Sequence, residues 1–172
     1  MDEPRAEVLA SPTRGVVDFE SFYGREHVRL FRALLLVTGN RAEAEDVAHD
    51  AFVRLYERWD RVAKMESPLA YLYVTAWNTY RNGVRRAMRR ARRVVVERGE
   101  VEDPISGVVA RAELFRALGS LSAKEREAIA LIDYLGLSSQ EAGDVVGAKP
   151  DAVRARVHRA RERLRKELEA DG

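Results

Sequence analysis

At 172 residues and 19.5 kDa, with 46% apolar and 34% charged residues, the chain has the size of one ordinary domain or two small ones. It contains no cysteine, which excludes disulfides, thiolate metal sites and cysteine catalysis. Its apolar runs, such as Leu34 to Val37, are far too short for a membrane span, and Met1 to Gly15 carries acids and a proline where a secretory signal needs an apolar stretch, so a soluble, cytoplasmic protein is expected.

In chain order, nearly every segment reads as helix. Phe19, Phe22, Tyr23, Leu30, Phe31, Leu34 and Leu35 form a long apolar stripe closed by Thr38-Gly39-Asn40. Ala44, Val47, Ala48, Ala51, Phe52, Leu55 and Tyr56 repeat at three and four, which predicts a helix from about Arg41 to Trp59. Ser67-Pro68 is a start signal, an N-cap followed by a residue preset for the first turn. Leu69, Leu72, Tyr73, Ala76, Tyr80 and Val84 make the next stripe, which runs into an arginine block.

Residues 94–107 are polar, charged and interrupted by Gly99 and Pro104, and read as an acidic linker with Asp103-Pro104 opening the next helix. Beyond it, Ala110, Leu114, Phe115 and Leu118 face inward. Ser122 with Glu125 and Ser138 with Glu141 both fit a capping box, and Gly136 and Gly147 fall where helices should stop. No alternating strand pattern appears. The fold class expected is all-α, two small helical bundles joined by a flexible linker.

The net charge of +2 hides 26 Arg and 4 Lys in an uneven distribution. Arg81 to Arg98 holds eight arginines and one acid, and Lys149 to Lys166 holds eight bases and two acids, whereas Glu43 to Asp60 has six acids against two arginines. Single-sign runs this dense repel themselves unless an anionic partner relieves them. Solvated helix ends are the plainer alternative. The acids Glu45, Asp46 and Asp50, beside Phe52, Leu55 and Tyr56, suit docking of a basic partner, with a solvated acidic face over a core stripe as the alternative.

Residues 138–165 carry the most specific geometry. A short helix to Val146, a Gly147-Ala148-Lys149 turn and a helix opened by Pro150, with Val153, Val157, Ala160 and Leu164 on one face, form a helix-turn-helix. Its second helix offers Asp151, Arg154, Ala155, Arg156 and Arg159 to a major groove, where Arg can pair with guanine and arginines farther along can hold phosphate. An ordinary helical hairpin with a charged face competes with this reading. Tyr71, Tyr73, Trp77 and Tyr80 stand beside the first arginine block, an arrangement that could stack unpaired bases over a positive groove. Tyr73 and Tyr80 lie on the apolar stripe and fit core packing better; Tyr71, Trp77 and Asn78 are the better candidates for base contact. His27, His49 and His158 are isolated, without metal-ligand spacing or a nucleophile, so no metal, cofactor or catalytic set is expected.

The sequence resembles the extracytoplasmic-function (ECF) sigma factors of the sigma-70 family, the bacterial RNA polymerase specificity subunits. The stretch Leu121 to Ala128, Gly136-Leu137-Ser138 with Glu141 and Gly147, and Val153 to Arg161 are similar to a sigma-4 domain with its promoter-reading helix. Ala44 to Phe52 resembles the stretch that docks on the polymerase clamp. Pro68 to Leu72 with Ala76, Asn78, Arg85 and Arg86 resembles the helix that melts and reads the −10 element. The resemblance covers about residues 18–168 and implies a tail (1–17), a sigma-2-like domain (18–93), the linker (94–107) and a sigma-4-like domain (108–170).

The resemblance further implies docking on core polymerase, at the β′ clamp and β flap, through Glu45, Asp46, Asp50, Phe52, Leu55 and Tyr56. Contact with −10 DNA would involve Lys64, Tyr71, Trp77, Asn78, Arg81, Arg85 and Arg86, with the 61–66 loop helping to hold a flipped base. Contact with −35 DNA would involve Ser138, Lys149, Asp151, Arg154, Ala155, Arg156 and Arg159. It implies promoter DNA and an anti-sigma factor as partners, no membrane insertion, no cofactor and no enzymatic activity. Little sequence follows the recognition helix before Gly172, so control is expected from partners or abundance. The pattern departs from the family at Gly143, where Ala is usual, and at Trp77 and Asn82, where Arg and Asp are common. A stand-alone helix-turn-helix regulator is the alternative function; a nucleic-acid enzyme lacks any convergent acid/base or metal set.

Overall fold

Helix boundaries follow local chemistry. The structure, a computed structural model, describes residues 17–91 and 109–170. The Asp18 carboxylate accepts from the Ser21 N–H (2.9 Å) and hydroxyl, starting α1 (Phe19–Thr38), and Gly39 ends it at φ 66° with its N–H on the Leu35 carbonyl. Asn40 caps α2 (Arg41–Tyr56) through the Glu43 N–H. The Ser67 hydroxyl accepts from the Ala70 N–H at 3.1 Å as α4 (Pro68–Ala91) begins.

The second helix ends sooner than its periodicity predicts. The chain turns at Glu57-Arg58 and resumes as the single turn α3 (Trp59–Val62). The turn brings the Trp59 ring to 5.4 Å from Phe19 and 5.1 Å from Phe22, so aromatic packing on α1 sets the break.

The second half comprises α5 (Val109–Gly119), α6 (Ala123–Ile129), a π-helical turn at Ala130–Tyr134, α7 (Ser139–Val146) and α8 (Pro150–Ala170). Both expected capping boxes form, at Ser122/Glu125 and Ser138/Glu141. The π turn, closed by the Leu135 N–H on the Ala130 carbonyl, has no counterpart in the sequence reading. The 94–107 linker and the Asp103-Pro104 start lie outside the described residues, apart from which the described chain is all helix and turn.

In the first half, α1 packs on α2 and α2 on α4 around Leu30, Leu34, Leu55, Leu72, Tyr73 and Trp77. Each such side chain contributes about 1.5–3 kcal/mol by leaving water. In the second half α5, α6 and α7 pack on α8, whose Val153, Val157 and Ala160 face inward as the stripe predicted. The apolar core continues from one half into the other: α4 lies on α7, and α1 on α6 and the π turn.

Gly143 has a physical reason. A Cβ there would stand 2.5 Å from the Ala148 carbonyl oxygen, because the turn folds back so that the Ala148 N–H donates to the Gly143 carbonyl at 2.9 Å. Among the described residues no helix is long and apolar enough to cross a membrane, and no group of His, Asp and Glu could hold a metal ion.

Candidate nucleic-acid and partner-binding surfaces

The face shared by α1 and α2 carries an open apolar groove of about 780 Å³. Phe52 forms its floor, in edge contact with Tyr23 (4.8 Å) and Phe19 (6.5 Å), and Tyr56, 66% exposed, stands 4.9 Å from Phe19. His27 stacks on Tyr23 at 4.7 Å, and its Nδ1 lies 2.9 Å from the Tyr23 carbonyl. Glu45, Asp46 and Asp50 are exposed, and Glu45 pairs with Arg41 at 2.8 Å on the groove's edge. Leu55, grouped by sequence with the docking side chains, is instead fully buried, because it lies on the side of α2 that meets the core. Sequence reasoning missed Val28 and Val53, exposed apolar side chains along the groove whose signal is position off the core stripe, and it put Tyr23 on that stripe, whereas Tyr23 is exposed in the groove.

At the start of α4 a second hollow, about 1020 Å³, opens between Phe22, Arg25, Trp59 and the Lys64 to Leu69 loop. Lys64 is exposed at its wall. The Tyr71 hydroxyl accepts from Arg58 Nη1 at 3.0 Å, and this bond holds the phenol below its ordinary range. Asn78, Arg85 and Arg86 are exposed along α4. Trp77 is a correction: proposed from sequence for base contact, it is 0% exposed, one of the largest side chains of the core. Tyr73 and Tyr80 are buried too, in line with the packing reading. Arg81 is partly buried, donating from Nη1 to the Val146 carbonyl (2.5 Å) and from Nη2 to Glu127 Oε2 (2.7 Å).

The third surface is the helix-turn-helix. Ser138 receives the Glu141 N–H and gives its own N–H to the Glu141 carboxylate at 2.7 Å, and these bonds hold that carboxyl below its ordinary value. Gly147, at φ 66°, stops α7. On α8, Asp151, Arg154, Ala155 and Arg159 are exposed with Lys149 before them, while Arg156 is half-buried. Arg154 pairs with Asp151, and Arg161 reaches Asp133 on the π turn. Arg159 and Arg163 face Glu125 at 3.7 and 3.6 Å. Burial pushes the Glu125 carboxyl up, but the Ser122 N–H and hydroxyl, with Arg163 and Arg159, outweigh it and leave the group below its usual range. Arg159 and Arg163 join α8 to α6, and Arg161 joins it to the π turn, while the arginine side chains stay more than half exposed.

Two family models match these halves in the same order: Sigma-70 region 2 over residues 22–93 and Sigma-70, region 4 over residues 111–164. The RNA polymerase sigma-E factor of Streptomyces avermitilis is 30% identical over 158 residues, covering 90% of this chain and 87% of that one. The ECF RNA polymerase sigma factor SigE of Mycolicibacterium smegmatis is 32% identical over 82% of this chain and 58% of its own length. Among solved structures, the sigma factor RpoE of Bartonella quintana, in complex with the anti-sigma factor NepR, superposes with a TM-score of 0.77 at 26% identity, over 90% of this chain and 99% of that one. On two region models in order and relatives alike along nearly its whole length, the chain belongs to the ECF sigma factors of the sigma-70 family.

Proposed function

We propose that this chain is a dissociable promoter-specificity subunit that binds core RNA polymerase, reads −10 and −35 elements and helps open the duplex between them. It works by binding alone. The observation that carries the reading is the division of labour over the surface: an apolar groove rimmed by carboxylates on α1 and α2, and arginine-lined helices, α4 and α8, elsewhere. A DNA-binding protein gains nothing from exposing Tyr56, Val28 and Val53 beside Glu45, Asp46 and Asp50; a protein that must hold an apolar, basic helical partner does. In this reading the partner is the β′ clamp, and the second half meets the β flap.

Asn78, Arg85, Arg86 and, once free, Arg81 meet the −10 region, and the hollow beside Lys64 and Tyr71 receives an unstacked base. Lys149, Asp151, Arg154, Ala155 and Arg159 face the −35 major groove, with Ser138 at the start of α7 reaching phosphate. An anti-sigma protein that covers these surfaces is the expected inhibitor; the Bartonella relative is bound to one.

Transcription from genomic fragments by purified bacterial core polymerase, with and without the chain, tests this. Start sites that appear only with the chain and share a two-part upstream motif are the expected result. No core binding and no new starts, with duplex DNA still bound specifically, would move the assignment to a stand-alone helix-turn-helix regulator.

A further inference from the structure

The two capping boxes of the second half are one device in two settings. At the start of α7, Glu141 is exposed, and the Ser138 N–H and hydroxyl hold its carboxyl below the ordinary value. At the start of α6, Glu125 makes the same bonds, accepting from the Ser122 N–H on Oε2 at 2.9 Å, but it is only 4% exposed. Two arginines of α8 stand over it: Arg159 Nε lies 3.7 Å from Oε1 and Arg163 Nη1 3.6 Å from Oε2. The cap does not need this charge, because Gln at the same position supplies the acceptor oxygen equally well. Burial does not favour it either, since a buried carboxylate has to be paired to stay ionised. Burial raises the Glu125 carboxyl, and Ser122 with Arg163 and Arg159 brings it below its usual range, so the charge is present at neutral pH.

The pairing is loose. Separations of 3.6 and 3.7 Å are too long for hydrogen bonds, and both guanidiniums remain more than half exposed. Arg163 also donates to the Ser120 carbonyl, at 3.3 Å. Both arginines therefore keep N–H groups for another acceptor while sharing one negative charge. Together the three groups sum to +1, where the arginines alone would carry +2. What arginines give to sequence-independent DNA binding is charge toward phosphate, realised through the counterions released. Base contact by Arg154 and Ala155, nearer the start of α8, does not pass through Glu125.

We infer that Glu125 acts through Arg159 and Arg163 as a brake on sequence-independent duplex binding, its buried charge cancelling half of what the two arginines offer to phosphate while leaving the base-reading start of α8 untouched. Such a brake matters because a genome offers a vast excess of non-specific sites, and a chain held at them by charge alone is withdrawn from its promoters. The inference rests on the −35 reading of α8 and adds to it the residue that sets how strongly the chain holds arbitrary DNA.

The test titrates the full chain, parent and Glu125→Gln, on a mixed-sequence duplex across about 0.05–0.3 M salt. Glu125→Gln should bind about tenfold tighter near 0.1 M salt, and its log affinity should fall more steeply with log salt, by about one in slope. Glu125→Asp, which keeps the charge, should stay near the parental slope. Glu169→Gln, an equal change of net charge in the last turn of α8, should move the slope far less. In a chain already carrying Arg159→Gln and Arg163→Gln, neutralising Glu125 should bring no gain. A purely structural role for Glu125 would move none of these slopes. Circular dichroism checks the fold. If Glu125→Gln does not fold, the arginines decide: with one of them gone Glu125 neutralises the other, so each single Gln variant should lose nearly all that the pair contributes, and additive losses overturn the brake. An unchanged slope in folded Glu125→Gln, an equal gain in Glu169→Gln, a gain that survives loss of both arginines, or no duplex binding by Glu125→Gln at low salt also overturns it. A steeper slope in Glu125→Gln, with no new start sites in the transcription test, instead overturns the promoter reading and leaves the brake standing.

Discussion

The two arginine-rich helices α4 and α8 carry the same residue type at similar density, yet the molecule uses them differently. On α8 the arginines spread outward. Arg154, Arg159, Arg161 and Arg163 each keep more than half of the side chain exposed while touching a carboxylate. Exposed pairs of this kind contribute little to stability and yield readily to phosphate. On α4, Arg81 is sunk at a junction with two strong acceptors, while Arg86 and Arg89 bond carbonyls of their own helix. What separates them is the neighbouring surface: α8 faces solvent where α4 faces the end of another helix. Arginine content alone therefore does not say which arginines are available to an anion; the packing decides that.

The largest effect that sharpens this contrast comes from adjacent positions on α4. Trp77→Ala should cost about 3–5 kcal/mol in urea denaturation, since it empties a fully buried site. Asn78→Ala, one residue on and exposed, should stay within about 0.5 kcal/mol and instead weaken binding of single-stranded −10 DNA in the polymerase complex. Equal effects of the two on stability would mean that the buried stripe of α4 has been misplaced.

Gly143→Ala tests what holds α8 out. Helix propensity alone would have Ala stabilise by about 1 kcal/mol. The new Cβ meets a backbone oxygen at 2.5 Å, which no rotamer can relieve, and thermal melting should show a net loss of about 1–3 kcal/mol. The family's usual Ala at this position then reflects a different turn, since this chain's turn closes on Gly143.

On α8 itself, Arg154→Ala should cost about 1–3 kcal/mol of promoter binding and relax preference at one −35 base pair. Arg163→Ala, farther along, should weaken all sequences alike and lower the salt slope by about one. Binding titrations of the polymerase complex across salt concentrations separate the two. The same loss for both would make α8 a phosphate-binding helix without direct readout.

Much of this was legible in the sequence because the signals are local. Ser122 and Ser138 with a glutamate three residues on, Pro68 after Ser67, and Gly39, Gly136 and Gly147 at positive φ set helix ends through bonds within a few residues. What sequence missed depends on distant partners. The break after Tyr56 is set by Trp59 meeting Phe19, the π turn lies against α1, and Arg81 finds Glu127 forty-six residues away. Trp77 is a different case. It lies four residues after Tyr73 and three before Tyr80, so the helical stripe already placed it inside; its neighbouring arginines drew the reading toward base stacking.

The smallest effect lies where α4 meets α1. The Tyr73 hydroxyl is buried without a hydrogen-bond partner among the described residues, and burial pushes its pKa up to about 12, with Arg29 opposing and Glu26 and Tyr134 adding. The folded state therefore holds this proton more tightly than the unfolded chain, in which the phenol titrates near 10. Unfolding releases it, so stability falls as pH rises from about 10 toward 12, by up to about 1.4 kcal/mol per pH unit for this one group. Tyr73→Phe removes both the unpaired hydroxyl and the proton. At pH 7 the variant should match the parent or exceed it by about 1 kcal/mol. Above pH 10 its advantage should widen, while Tyr80, also raised by burial, keeps some alkaline sensitivity in both. Parallel denaturation curves from pH 7 to 11 read the difference; a gap that stays constant across that range would mean the Tyr73 hydroxyl is hydrated, and so that α4 and α1 part there in the free chain.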